Sequence, residues 1–198
     1  MSTKAEKTSK FIIETVAPIF NKNGYAATSL SDITAATGLT KGAIYGNFEN
    51  KDELALAAFK FNVKKLMVKI GEYISKGDTP LEKLLLIADF YKEYYHFSME
   101  IGGCPVLNIG IDANNNHDVL LEKVQESVEK IQGYIENLID DGLKQGEIRN
   151  TIVAKTYAKR FYSLLQGAIF MSQTMKDNSY IVDAANVMRD TINQRFRQ

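Results

Sequence analysis

The chain has 198 residues, 45% of them hydrophobic and 24% charged, an ordinary globular composition with enough apolar material for one or two cored domains. Lys and Arg balance Asp and Glu at 24 each, so the summed charge gives no attraction to nucleic acid and only its distribution can. One cysteine excludes an internal disulfide, and with two distant histidines, His96 and His117, neither a metal site nor a cofactor is expected. The start MSTKAEKTSK is polar, unlike a signal peptide, and no apolar run approaches the ~20 residues that span a bilayer, so a cytoplasmic protein with no membrane partner is expected.

Taken in order, the first helix runs from about Thr8 to Asn23, with Phe11, Ile12, Val16, Ile19 and Phe20 at helical spacing. Pro18 inside it removes a backbone donor and crowds the carbonyl of Glu14, at a cost of ~3 kcal/mol in a regular interior, so a bend or local break is expected there. The stretch from Thr28 to Leu54, TSLSDITAATGLTKGAIYGNFENKDEL, carries the chemistry. Ser29 reads as a helix N-cap with Asp32 three residues on, and Gly38, able to turn left-handed, stops the short helix it starts. Thr40 caps a second short helix, with Ile44 and Phe48 on one face and Leu39 in the turn where the two helices cross.

Helix, tight turn and helix make a unit whose second helix enters the DNA major groove, presenting Thr40, Lys41, Gly42, Ala43, Tyr45 and Asn47 on the face away from the packed one. With Ser29 and Lys51 these form the candidate DNA-contacting set. Lys41, Tyr45 and Lys51 suit phosphates or flanking positions; Thr40, Lys41, Gly42 and Ala43 suit base edges, because small side chains admit close approach and a methyl contact to thymine. Charge distribution agrees: Lys4, Lys7, Lys10, Lys41, Lys51, Lys60, Lys64, Lys65 and Lys69 lie early, whereas Glu122, Glu126, Glu129, Glu136, Asp140 and Asp141 lie later.

These residues resemble the TetR-like transcriptional regulators. The resemblance rests on Gly24-Tyr25, Thr28-Ser29, Ile33, Gly38-Leu39, Thr40 to Tyr45, Phe48, Lys51 and Glu53-Leu54, and it is close over the first third of the chain. The rest matches in length and helical layout. Thr34 stands where such motifs usually carry Ala, and Asn47 where the family more often has His or Tyr. Repression, rather than activation, is implied by this resemblance only.

Beyond the motif, Asn50 and Glu53 open a long helix from Lys51 to about Ser75, and Thr79-Pro80-Leu81-Glu82 starts another that reaches Glu100. The latter carries Leu81, Leu84, Leu85 and Ala88, then Tyr91, Tyr94, Tyr95 and Phe97. Such a stripe is more often core than cavity lining, but its hydroxyls and His96 would suit an apolar or aromatic ligand. Pro105 suits a first helical turn, so the run from Val106 to Ile111 reads as a short helix and not a strand. The GGCPVLN sequence resembles a glycine-cysteine motif in a subset of the TetR-like family in which the cysteine senses oxidants or electrophiles, which nominates Cys104. A free cysteine is, however, more often inert packing. A turn at Asn114-Asn115-Asn116 precedes a scaffold helix from about Asp118 to Gln145. Two more are expected, from about Thr151 to Lys176 and from about Ser179 to Phe196. The earlier is apolar on more than one face, so with the last it should form a four-helix seam with a second copy, Gly167 and Ala168 allowing a close crossing.

The expected protein is therefore all-α, with a helix-turn-helix domain at 1–50 and a ligand-binding and dimerisation domain at 51–198. It is a homodimer on a double-stranded DNA operator, released by a small apolar or aromatic effector held by Tyr91, Tyr94, Tyr95, Phe97, Cys104, Phe161, Tyr162 and Phe170. The alternatives are a regulator triggered at Cys104 and a helical small-molecule-binding protein with no DNA role. An enzyme ranks third, because neither histidine has a nucleophile or carboxylate partner in sequence.

Overall fold

The computed structural model describes residues 3–114 and 116–198. Among these there is no strand, and the helices are α1 (Lys4–Ala27), α2 (Leu30–Thr37), α3 (Lys41–Tyr45), α4 (Lys51–Ile74), α5 (Pro80–Glu100), α6 (Pro105–Ala113), α7 (Asp118–Lys144), α8 (Ala154–Met175) and α9 (Ser179–Thr191). Asn115, within the expected asparagine turn, lies outside the described residues. The chain divides into two compact units, Met1–Leu66 with Met99–Gln125, and Met67–Ser98 with Glu126–Gln198, so neither is a continuous stretch.

Local signals set most boundaries. Ser29 and Asp32 form a full capping box on α2, and Gly38 closes it in the left-handed conformation at φ 67°. Thr40 caps α3, its hydroxyl accepting the Ala43 amide at 3.2 Å. Asn50 accepts the Glu53 amide at the start of α4, and Thr79, Pro80 and Glu82 open α5 as expected. The run after Cys104 is helical, with Pro105 in its first turn.

The first helix differs from expectation. It begins earlier, because Thr3 and Glu6 form a capping box, and Pro18 stays inside it. Proline removes the bond to the carbonyl of Glu14, an exposed residue whose carbonyl water can serve, so the helix tolerates it. The one non-helical residue inside α1 is Gly24, at φ 83° and ψ 170°. That region is open essentially to glycine alone. The break frees the Asn21 carbonyl, which accepts from Asn108 Nδ2 at 2.8 Å. It also frees the amides of Tyr25 and Ala26, which donate to Asp112 Oδ2 at 2.6 and 3.1 Å. Asn108 and Asp112 stand one turn apart on α6, so one face of α6 satisfies both sides of the break. Asn21 adds two buried bonds in the same place, Nδ2 donating to the carbonyls of Ile101 and Gly103 at 2.7 Å each.

The core of the first unit is Ile12, Val16, Ala17 and Phe20 of α1 with Ile33, Ile44, Phe48, Leu54, Ala58 and Phe59. In the second unit, Phe90 of α5 sits among Tyr73, Tyr91, Tyr94 and Phe97 with ring centroids 5.3 to 6.2 Å away, and Phe161 packs on Phe196, itself 4.9 Å from Tyr157. The last helix also departs from expectation, passing from α9 into a π-helical turn over Ile192–Phe196. Its stripe of Ile181, Ala184, Ala185, Met188 and Ile192, expected to meet a second copy, is instead buried within its own unit, Met188 at 0% exposure. Helical periodicity marks a stripe that will be covered; it does not say by what.

Candidate nucleic-acid interface

At five residues α3 is too short to hold itself as a helix and depends on its attachments. Ile44 and Phe48 anchor it in the core, and the Phe48 amide bonds back to Ile44 at 3.1 Å. The opposite face is open: Lys41, Gly42 and Tyr45 are exposed, Tyr45 at 37%, with the Lys41 ammonium 5.9 Å from the Tyr45 ring centroid. A Cβ at Gly42 would meet only Thr40 Oγ1, at 3.9 Å, so the backbone there is bare toward solvent. The three lysines of α1's first turns, Lys4, Lys7 and Lys10, are also exposed.

Four of the sequence-selected residues are engaged within the protein, Thr40 through its cap on the Ala43 amide. Ser29 spends its hydroxyl on the α2 cap, accepting the Asp32 amide at 3.2 Å and donating to its carboxylate at 2.7 Å. The Ser29 hydroxyl and then its amide, both donating to the carboxylate, hold the Asp32 carboxyl below the usual carboxylate range. Lys51 holds its ammonium 4.3 Å from the centre of the Tyr25 ring. Asn47 is half-buried, its Nδ2 donating to the Ala43 carbonyl and its Oδ1 accepting from Ser9.

Tyr25 itself is the centre of a junction that sequence reasoning missed. It follows the Gly24 break, donates its phenol to Asp52 at the start of α4, and meets the His117 ring edge-on at 4.6 Å. Burial, then the Asp52 carboxylate, push the phenol up to about 12. His117 caps α7 by accepting the Leu120 amide on Nδ1 at 3.2 Å, which leaves Nε2 as the protonated nitrogen, 3.6 Å from Asp52 Oδ2. Histidine is not a usual cap residue, so nothing in the letters marked this role, and its partners lie 65 and 92 positions earlier.

The expected effector residues do not form one cluster. Tyr91, Tyr94, Phe161 and Tyr162 are buried in the second unit, Tyr95 and Phe97 are half-buried, and Phe170 is 47% exposed on the surface. Cys104 belongs to the other unit, where it precedes α6 at 1% exposure. A pocket of about 400 Å³ between α7 and α8, lined by Glu129, Gln132, Gly133, Glu136, Lys155, Ala158 and Lys159, takes in none of these aromatics. No group of three metal-ligating side chains occurs among the described residues, and no helix there is long and apolar enough to cross a membrane.

Residues 12–58, which include this helix-turn-helix, match the bacterial regulatory proteins of the tetR family, and residues 80–188 match the tetracyclin repressor-like C-terminal domain. This chain belongs to the TetR family. A TetR-family regulator from Cytophaga hutchinsonii is 34% identical with a TM-score of 0.92, covering 100% of this chain and 99% of its own. A TetR transcriptional regulator from Chloroflexus aurantiacus is 30% identical with a TM-score of 0.93, covering 98% of each. The fatty acid metabolism regulator protein of Bacillus subtilis is 22% identical over 85% of this chain and 84% of its own. Like other TetR-family members, the chain is a DNA-binding transcriptional regulator of the repressor type and not an enzyme.

Proposed function

We propose that the protein is a homodimeric repressor that reads a two-part operator through α3 and lets go when a small apolar or aromatic effector binds its second unit. The observation that carries the reading is the bare outer face of α3, with Lys41 and Tyr45 flanking the uncovered backbone of Gly42. Gly42 and Ala43 meet base edges, and Lys41 and Tyr45 take phosphates. Functionally the chain divides near residue 50 into a reading head and a sensing body, and it works in the cytoplasm beside its DNA. Two half-sites one helical turn apart call for two heads. Leu164 and Gly167 are exposed on one face of α8 at i and i+3, with half-buried Met171 one turn further on, and Val187 is exposed on α9.

For the effector, the supporting observation is that Tyr91 and Tyr94 of α5 and Phe161 and Tyr162 of α8 are all buried in the unit without the helix-turn-helix. An apolar compound seated among them changes the equilibrium between head spacings, and its differential affinity sets the size of the response. Phe170 stays outside this set, and Cys104, closed to solvent, acts as packing. The test is an operator selected from random duplex DNA by the parent protein. Tyr45→Ala and Lys41→Ala should each weaken binding about tenfold, and Lys41→Ala, which removes a charge, should also flatten the slope of log affinity against log salt by about 0.9. Parent-like binding by both variants would overturn the assignment of α3.

A further inference from the structure

From the two bonds made by its side chain, we infer that Asn47 is a positioning residue that fixes the recognition helix to α1 through Ser9, and not a DNA contact. The inference rests on the reading of α3 as the DNA-reading helix. At the end of α3 the Gly46 amide bonds to Gly42 at 2.9 Å, but the Asn47 amide turns to Ile44 at 3.0 Å, one residue short of the helical partner. The carbonyl of Ala43 is thereby left without a backbone donor. Asn47 Nδ2 supplies one at 2.9 Å. A carbonyl can only accept, so this bond decides which end of the amide points there, and the remaining oxygen accepts the Ser9 hydroxyl at 2.9 Å. Both ends of the side chain therefore face into the protein. One amide holds the last turn of a five-residue helix to a helix 38 positions earlier in sequence.

The consequence is specific to the reading face. Ala43, whose carbonyl Asn47 holds, is one of the two small residues set against base edges, so loosening this bond shifts that contact while leaving the phosphate contacts of Lys41 and Tyr45 in number as they were. Losing a phosphate contact made by the neutral Asn47 amide would do the reverse: it would weaken all sequences alike and leave the base preference unchanged.

The test uses the full-length protein and the operator it selects from random duplex DNA, with affinity measured by fluorescence anisotropy across a salt series. Asn47→Ala and Ser9→Ala should each bind about three- to tenfold more weakly, from one or two lost hydrogen bonds. Their salt slopes should equal the parent's. The double variant should be no weaker than Asn47→Ala alone, since both remove parts of one connection. Repeating the selection with Ser9→Ala should return relaxed preference at the base pairs under Gly42 and Ala43. Asn47→Ala weakening every sequence alike, with the parent's base preference kept on reselection, would show a phosphate contact and overturn the inference. So would Ser9→Ala binding as the parent does, a result that stands even if Asn47→Ala proves insoluble, because Ser9→Ala leaves the cap on Ala43 intact. A parent that selects no sequence at all would instead overturn the DNA reading beneath it.

Discussion

Replacing Gly24 by alanine perturbs one backbone position and, through it, the connection of α1 to α6. The residue sits at φ 83° and ψ 170°, where a side chain costs about 1–3 kcal/mol in backbone strain alone. A Cβ there would lie 3.0 Å from both Cγ and Oδ2 of Asp112. That carboxylate cannot retreat without lengthening its bonds to the Tyr25 and Ala26 amides, and hydrogen bonds to a charged group contribute about 1.5–3 kcal/mol. The expected loss is about 3–5 kcal/mol. Gly38→Ala supplies the control, since its φ is also positive, at 67°, but a Cβ there meets nothing within 4 Å, so only a left-handed strain of about 1–2 kcal/mol remains. Urea unfolding at one fixed protein concentration measures the difference, and a thermal scan should show the Gly24 variant roughly 6–20 °C below the parent for a chain of this size. In the Asp112→Ala background, Gly24→Ala should cost only its backbone strain. The reasoning fails if Gly24→Ala is no more destabilising than Gly38→Ala, or if its cost is the same with and without Asp112.

Val187→Glu places a charge on an exposed apolar position of α9, 45% accessible, and should give folded monomers in sedimentation; a dimer of unchanged affinity would remove α9 from the interface. Met188→Glu, one residue on, should unfold the unit instead, since Met188 is wholly buried. The Asp32 carboxyl titrates below the ordinary range because of its bonds to Ser29, so the stabilisation it brings is present above that range and is lost as pH falls through its lowered value. NMR should show that titration return to the ordinary range in Ser29→Ala, and an unmoved midpoint would detach it from the cap. Cys104→Ser should leave release from the operator by apolar compounds intact, and neither protein should respond to hydrogen peroxide or a quinone; oxidant-driven release lost only in the variant would make Cys104 the trigger.

The parts of the fold legible in the sequence are those decided within one turn of chain. Ser29 with Asp32, Thr40, Gly38, and Thr79 with Pro80 and Glu82 each name a cap whose donor and acceptor lie three or four residues apart. The all-α class and the helix-turn-helix followed from them. What could not be read depends on partners far away. Pro18 read as a break and is not one. The break falls at Gly24, just past Asn23 where the first helix was expected to end, but that Asn108 and Asp112 arrive from α6 to satisfy what it leaves open was not legible. Lys51 and Asn47 read as polar groups for DNA, but that Lys51 would lie over the Tyr25 ring and Asn47 accept the Ser9 hydroxyl was not legible. On α9 the apolar stripe was visible, but whether its own unit or another copy would cover it was not a property of the letters.

The clasp between α1 and α6 also sets a schedule for synthesis. The amide of Tyr25 leaves the ribosome 87 residues before the carboxylate that will receive it, and Asn21 precedes its carbonyl partners by 80 and 82. At ~5–20 residues per second that interval is roughly 4–17 s, whereas a helix forms in about a microsecond. The nascent helix-turn-helix therefore spends seconds with its first helix hydrated at the Gly24 break, its polar groups held by water until α6 emerges. A messenger cut short ahead of residue 99 would release a chain in which that seal never closes, so the reading head is completed only in proteins long enough to include α6.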